Sequence, residues 1–365
     1  MSTAAPAQLR WLDAAARLAL PFLGTTAENP TVGAIVVSPE GRLLGRGVTA
    51  PGGRPHAEPQ ALAMAGQGAA GATLYVTLEP CNHWGRTPPC VDAVIAAKVA
   101  TVICGCVDPD SRTAGKSVAK LRAAGIDVIV APDHMLSRKL HQGFFKRILT
   151  GRPLVTAKLA VSKDGMIGLP DKGNVPITGE TAKRWTHMQR ALSDAVMIGA
   201  GTARLDDPRL SVRLSGLENR RPLRVILAGK NELNPALNLF ANSSVQHTVV
   251  IAKKGHLESV SENVELIEVD GVGSAPDLVA GLRRLGERGI SRLFVEGGAR
   301  LTGSLLNAGL VDRFELLEGD KIVGPEGVPA SVRFPLSERL SELGFRAVDR
   351  RALGCDRLTS FEKSD

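Results

Sequence analysis

His56-Ala57-Glu58, Pro80-Cys81 and Pro89-Cys90 supply the residue types of a catalytic zinc site. One imidazole and two thiolates make three protein ligands, which leaves the fourth position on zinc to water. Zinc held in this way lowers the pKa of that water to about 7. Glu58 lies two residues beyond His56. If a helix starts here, its carboxylate can face the open position while His56 binds metal. A carboxylate so placed can take the water's proton and pass it to a ring nitrogen and then to leaving ammonia. In zinc nucleobase deaminases the glutamate has this acid–base role and is not a ligand. A lone His-x-Glu is usually a helix-surface pair, and Pro-Cys pairs alone fit buried small side chains. Their order, between strand-like and helix-like segments, is what points to a site.

The spacing of the thiolates adds information. The usual deaminase signature places two residues between its cysteines; here eight intervene, Asn-His-Trp-Gly-Arg-Thr-Pro-Pro. A polar, basic loop inside the metal site suits a substrate larger and more anionic than a free base. Cys104 and Cys106 alternate on a predicted strand and read as buried neighbours on one face, and Cys355 has no companion. Five cysteines in a chain this long do not form a disulfide framework.

A second set of residues suggests a phosphate cradle. Val295-Glu296-Gly297-Gly298 ends a predicted strand, and 299–309 continues as a helix. Free N–H groups at a helix N-terminus attract anions, and glycine lets the backbone approach them closely. Ile198-Gly199-Ala200-Gly201-Thr202 also follows a strand. It begins like a dinucleotide fingerprint, but Arg204 stands where the third glycine is expected, which disfavours a Rossmann fold. Arg204, Asp206, Asp207, Arg209 and Arg213 cluster after that loop, and arginines suit bidentate phosphate binding.

These residues must be positioned by elements, and the hydrophobic pattern gives a two-part series. Residues 8–23 have helical spacing. Strands are expected over 32–37, 43–49, 73–78, 101–107 and 127–131, with helices near 57–67, 88–98, 115–124 and 134–149. Gly151-Arg152-Pro153 breaks the pattern, so domains are expected at 1–150 and 151–365. The second series has strands at 154–161, 195–199, 223–228, 248–253, 264–269, 292–295 and 313–323, and helices at 180–192, 276–288 and 299–309. Residues 325–345 read as irregular. Strands alternating with helices make both halves α/β.

At 365 residues the chain exceeds one ordinary core. Its composition is that of a folded protein, with cores built from Ala, Val, Leu and Ile because aromatics make up only 4%. The net charge of +8 forms no long basic run, and aromatic stacking residues are few, so a nucleic-acid partner is not expected. The charge suits an anionic substrate and a dinucleotide cofactor. Asp13 and Arg17 interrupt the first apolar stretch, which argues against a signal peptide. No uncharged run approaches the ~18 residues of a membrane span. A cytoplasmic protein without membrane partners is the expectation.

Pro80-Cys81-Asn82-His83-Trp84-Gly85-Arg86-Thr87-Pro88-Pro89-Cys90 resembles the hallmark of the bifunctional riboflavin-biosynthesis deaminase–reductases. Asn29-Pro30-Thr31-Val32-Gly33, Thr77-Leu78-Glu79-Pro80 and Asp108-Pro109 fit the same family. In the second half, Gly199-Ala200-Gly201-Thr202, Asp206-Asp207-Pro208, Leu210, Val212-Arg213 and Val295-Glu296-Gly297-Gly298 resemble its reductase portion. The resemblance extends over nearly the whole chain. It implies a cytidine-deaminase-like domain followed by a dihydrofolate-reductase-like domain, acting on a diaminopyrimidinone ribosyl phosphate with Zn2+ and NADPH. The first domain would deaminate the ring and the second would reduce the ribosyl unit to a ribityl chain.

By motif position the resemblance implies that Asn29, His83 and Arg86 contact the deaminase substrate. It implies that Arg190, Asp206, Arg213 and Glu296 contact the sugar phosphate in the reductase. Ala160, Thr202 and the stretch Gly298, Ala299, Arg300, Leu301, Thr302, Gly303 and Ser304 would touch NADPH. Lys158 and Asp206 are candidates for proton management, and a homo-oligomer, dimer or tetramer, is implied. The chain departs from common family residues at Thr49, where some members have His, and at Pro176, where many have Trp. It departs again at Ala228-Gly229 and Glu318-Gly319-Asp320-Lys321. The departures at 176 and 229 bear on cofactor contacts, and that at 318–320 on a turn or dimer contact. The competing reading is an active deaminase whose second half serves assembly or binding.

Overall fold

The computed structural model describes residues 6–170, 172–173, 175–229, 233–257, 260–330 and 336–364. The chain forms two compact units, Met1–Gly151 and Arg152–Asp365.

The first unit runs α1 (Pro6–Ala19), β1 (Gly33–Val37), β2 (Leu43–Val48), α2 (Ala57–Ala65), β3 (Thr73–Val76), α3 (Cys90–Ala96), β4 (Thr101–Cys104), α4 (Lys116–Ala123), β5 (Asp127–Val130) and α5 (Met135–Thr150). Its sheet has the order β2-β1-β3-β4-β5. β1 is antiparallel to β2 and β3, and β3, β4 and β5 are mutually parallel. β1 is buried along its whole length because both its faces are covered. Ala34 and Val36 pack with Leu62, Val91 and Leu121 from α2, α3 and α4. Ile35 and Val37 pack with Leu12 and Ala15 of α1. This follows from the two-residue alternation of a strand. Gly45 and Gly47 of β2 let α2 sit directly on the sheet: a Cβ there would lie 2.1 Å from the Ala61 carbonyl and 2.2 Å from that of Ala57. That close approach fixes the start of the helix that carries Glu58.

The second unit runs β6 (Leu154–Val161), α6 (Glu180–Ala191), β7 (Ala195–Gly199), α7 (Ala200–Asp206), β8 (Leu223–Leu227), α8 (Asn238–Ala241), β9 (Thr248–Lys253), β10 (Val264–Val269), β11 (Gly271–Val272), β12 (Ala275–Pro276), α9 (Leu278–Glu287), β13 (Arg292–Val295), α10 (Ala299–Asn307), β14 (Arg313–Glu318), α11 (Leu336–Glu342), β15 (Phe345–Leu353) and β16 (Asp356–Lys363). The nine-stranded sheet has the order β10-β9-β8-β7-β13-β6-β14-β16-β15. It is parallel from β10 to β14, and β16 and β15 join antiparallel. This is the mixed, mainly parallel architecture expected of a dihydrofolate-reductase-like domain. β6 alternates buried and half-buried positions and places Val155, Ala157, Leu159 and Val161 in the main core.

Three local expectations are corrected. The strand expected over 313–323 ends at Glu318. Gly319 turns so close to Ile177 that a Cβ would lie 2.4 Å from its carbonyl oxygen. The 199–202 segment is not an open loop: β7 ends at Gly199 and α7 begins at Ala200. Within 325–345, residues 336–342 form α11.

Candidate active sites

In the first unit, three loops and helix starts converge. His56 is the N-cap of α2 and Glu58 lies in its first turn. Cys81 follows β3, and Cys90 opens α3. His56 Nδ1 lies 3.2 Å from Cys90 Sγ and 3.6 Å from Cys81 Sγ. Ligand distances of about 2.3 Å for sulfur and 2.0 Å for nitrogen give tetrahedral edges of about 3.5 Å, so the donor set fits zinc. The Cys90 N–H donates to Cys81 Sγ at 3.3 Å. Cys81 is pulled down to about 4, first by the Cys90 thiol and then by His56. The same bond and burial push Cys90 up. Its neighbours thus favour the thiolate form of Cys81.

Glu58 is 3% exposed. Burial, then the Cys81 charge, pushes its carboxyl up to about 7. Its Oε2 is buried with no hydrogen-bond partner among the described residues. It faces a cavity of about 290 Å³ that Asn29, Thr49, Arg54, His83, Arg86 and Asp108 also line. All three residues expected at the deaminase substrate thus border this cavity. Burial pushes Asp108 up to about 7. Thr49, the departure from histidine, has a structural role. Its hydroxyl accepts from the Val32 N–H and donates to the Pro30 carbonyl, each at 3.0 Å. This holds the segment that carries Asn29.

Two contributors escape a reading of motifs. Glu79 is visible in the sequence only as one letter of a motif; it is 2% exposed and accepts N–H bonds from Asp108, Gly115, Ser117 and Val118 at 2.9–3.2 Å. One carboxylate thereby pins the loop before Cys81 to the start of α4. Arg54 precedes the zinc motif, and no spacing rule marks it; it donates to Asn29 Oδ1 at 2.7 Å.

In the second unit, the carboxyl ends of β6, β7 and β13 open onto a cavity of about 610 Å³, the usual ligand position in parallel α/β sheets. Lys158, Ala160, Thr202, Asp206, Arg213 and Glu296 line it, as do Arg190 and Gly298. Arg190 grips Glu296 with Nε at 2.5 Å and Nη2 at 2.8 Å, and its Nη1 donates to the Ser211 carbonyl at 2.9 Å. These two expected substrate contacts therefore bind each other at the cavity wall. Burial pulls the Lys158 ammonium below its ordinary value, against the opposing charge of Glu296. Burial raises Asp206. Of the adjacent acids, Asp207 is mainly structural and accepts from Asn238 N and Nδ2, each at 2.7 Å. His187, which no sequence motif marks, lies on the cavity side of α6, with Nδ1 3.1 Å from the Ser211 carbonyl.

The stretch expected at NADPH divides. Gly298 caps α10 and faces the cavity; a Cβ there would meet only Thr202 Oγ1, at 3.9 Å. Ala299, Arg300, Leu301, Thr302, Gly303 and Ser304 do not line the cavity. Leu301 and Thr302 are buried, with the Leu301 side chain in the main core. The backbone N–H groups of this first turn, beside Gly298, are placed to meet a phosphate. Gly229 also stands outside the cavity lining. Pro176 lies in it, and its carbonyl accepts from Lys321 Nζ at 2.8 Å. The departure at Pro176 thus lies against the lysine that follows the departure at 318–320.

A buried carboxylate beside one imidazole and two thiolates defines a hydrolytic deaminase, here joined to an α/β domain with its own polar cavity. Residues 8–106 match the cytidine and deoxycytidylate deaminase zinc-binding region, and residues 153–356 match the RibD C-terminal domain. The chain is 38% identical over 342 residues to the riboflavin biosynthesis protein RibD of Aquifex aeolicus, spanning 93% of this chain and 91% of that one. Acinetobacter baumannii RibD superposes with a TM-score of 0.87 at 32% identity, covering 98% of this chain and 99% of that one. A Thermotoga maritima protein described as a diaminohydroxyphosphoribosylaminopyrimidine deaminase/5-amino-6-(5-phosphoribosylamino)uracil reductase gives 0.84 at 31% identity, with 98% of each covered. The chain belongs to the RibD family: it is a bifunctional deaminase and reductase of riboflavin biosynthesis.

Proposed function

We propose that the first half deaminates a diaminopyrimidinone ribosyl phosphate and that the second reduces the ribosyl unit of the product to a ribityl chain. The observation that carries this reading is the meeting of His56, Cys81, Cys90 and buried Glu58 in one cavity with Asn29, His83 and Arg86. His56, Cys81 and Cys90 hold zinc, which supplies a Lewis acid that makes water acidic near neutral pH. Glu58 takes a proton from the attacking water, delivers it to the ring nitrogen and then assists ammonia's departure. Its burial favours the protonated form needed for delivery. Asn29, His83 and Arg86 orient the ring and its anionic substituent.

In the second half, Gly298, Thr202 and the first turn of α10 fit the pyrophosphate of NADPH, because a side chain's worth of space lies open at Gly298. Bound NADPH supplies the hydride. Arg190, Glu296, Asp206 and Arg213 frame the sugar phosphate. Lys158 and Asp206 hold the protons that ring opening and reduction require. We place the enzyme in the cytoplasm as a homo-oligomer, a dimer or tetramer; no described helix is long and apolar enough to cross a membrane. Incubation with the diaminopyrimidinone ribosyl phosphate, zinc and NADPH tests the reading, with ammonia and NADPH followed separately. Both should change in sequence. Ammonia without NADPH consumption would leave the second half a binding or assembly domain.

A further inference from the structure

Four arginines line the deaminase cavity: Arg54, Arg86, Arg112 and Arg147. Two are engaged. Arg112 grips Asp110 with Nε and Nη2 at 3.0 and 2.5 Å. Arg147 donates to the Glu28 carbonyl at 2.6 Å. Arg54 is engaged on one side only. Its Nη1 donates to Asn29 Oδ1 at 2.7 Å and to the Gly53 carbonyl at 2.9 Å. Its Nε is buried with no hydrogen-bond partner among the described residues. Nη2 stands beside the insert between the two cysteines, where a Cβ on Gly85 would come within 3.3 Å of it.

The Nε–Nη2 edge is the side of a guanidinium that holds an oxyanion with two parallel bonds. Arg190 uses that edge on Glu296, and Arg112 uses it on Asp110. Arg54 leaves it without a carboxylate, and a buried N–H with no acceptor is costly. Its third neighbour sharpens the point. Nη1 also lies against His56 Nε2. His56 Nδ1 faces the two sulfurs and is the ligand atom, so Nε2 keeps its proton. Arginine has donors only. Two donors do not bond, so His56 offers Arg54 no acceptor, and the bonds to Asn29 and Gly53 are what hold the guanidinium at the cavity wall.

We propose that Arg54 is a further anion-recognising residue of the deaminase cavity, beside Arg86, and grips the substrate's phosphate through its Nε–Nη2 edge, beneath the insert that carries Arg86. This rests on the deaminase reading above. The test uses the zinc-loaded Glu58→Gln chain, which binds without turnover, titrated calorimetrically with the ribosyl phosphate substrate and with its dephosphorylated riboside. Adding Arg54→Ala should weaken the phosphorylated ligand roughly 10- to 100-fold, the span of a lost charge-assisted pair. The riboside should change by less than about twofold, and zinc should stay at one per chain by metal analysis. Equal weakening of both ligands would mean that Arg54 only positions Asn29, and loss of zinc would make it a support of the metal site; either result overturns the proposal, as does unchanged phosphate affinity. If the alanine variant does not fold, Arg54→Lys carries the test: it keeps the charge but not the fork, and should weaken the phosphorylated ligand alone. If the Glu58→Gln parent binds neither ligand, the deaminase reading itself fails, and the Arg54 proposal with it.

Discussion

In the proposed mechanism Glu58 separates metal binding from proton transfer, because its carboxylate is buried beside the donor set without belonging to it. Glu58→Gln keeps the shape and removes the proton carrier. Deamination should fall by about 10²–10⁴, with zinc content and reduction of deaminated substrate unchanged; a smaller loss would assign the proton to another group. Lys158 permits a test with a sign. Burial lowers its pKa, so a donating lysine loses its proton below its ordinary alkaline value. If Lys158 is the acid, reduction should slow as pH rises through that lowered pKa. Lys158→Arg cannot lose its proton in the same range, so the alkaline fall should disappear from the pH–rate profile. Persistence of the fall would show that Lys158 is not the acid.

At the scale of elements, adjacent glycines have different duties. A Cβ on Gly297 would come within 2.9 Å of Leu301 Cδ2 and 3.0 Å of its Cβ. Gly297→Ala should therefore cost about 1–3 kcal/mol through overpacking of β13 against α10. Gly298 has φ −71° and open space ahead of it. Gly298→Val should leave thermal stability nearly unchanged and raise the Kd for NADPH at least about tenfold. Unchanged cofactor affinity would mean that the pyrophosphate lies elsewhere. Glu79 is the equivalent tie in the first unit. Glu79→Ala leaves four N–H groups without their carboxylate acceptor, and should cost about 3 kcal/mol, visible as a lower unfolding temperature of the deaminase half.

For the whole molecule, each unit has its own core, and the chemistry of each half is built from its own residues. The donor set His56, Cys81 and Cys90 lies wholly in the first unit. Chelation should abolish deamination and leave NADPH-dependent reduction of deaminated substrate within about twofold. Zinc restored to the dialysed protein should bring ammonia release back. Equal loss of both activities on chelation would show that the halves are coupled.

Much was legible along the chain. The His-x-Glu and Pro-Cys pairs marked the donor cluster because a metal needs particular ligand types at short spacings. β6, β9 and β10 have the expected bounds because buried strands carry long apolar or alternating runs. β15 did not announce itself. It is an edge strand, exposed along nearly all its length and charged at Arg346, Asp349, Arg350 and Arg351, so it lacks the alternation that burial imposes. The sequence could place Arg190 and Glu296 in the reductase site by resemblance, but not their ion pair, which joins residues 106 apart. Nor could it show that Leu301 packs into the core while Gly298 faces the cavity, because that depends on the angle at which α10 leaves the sheet. Ligand types and periodicity are local properties and survive in the sequence. Which side chains satisfy one another, and which edge of Arg54 is left open, is decided only when distant segments are brought within hydrogen-bonding distance.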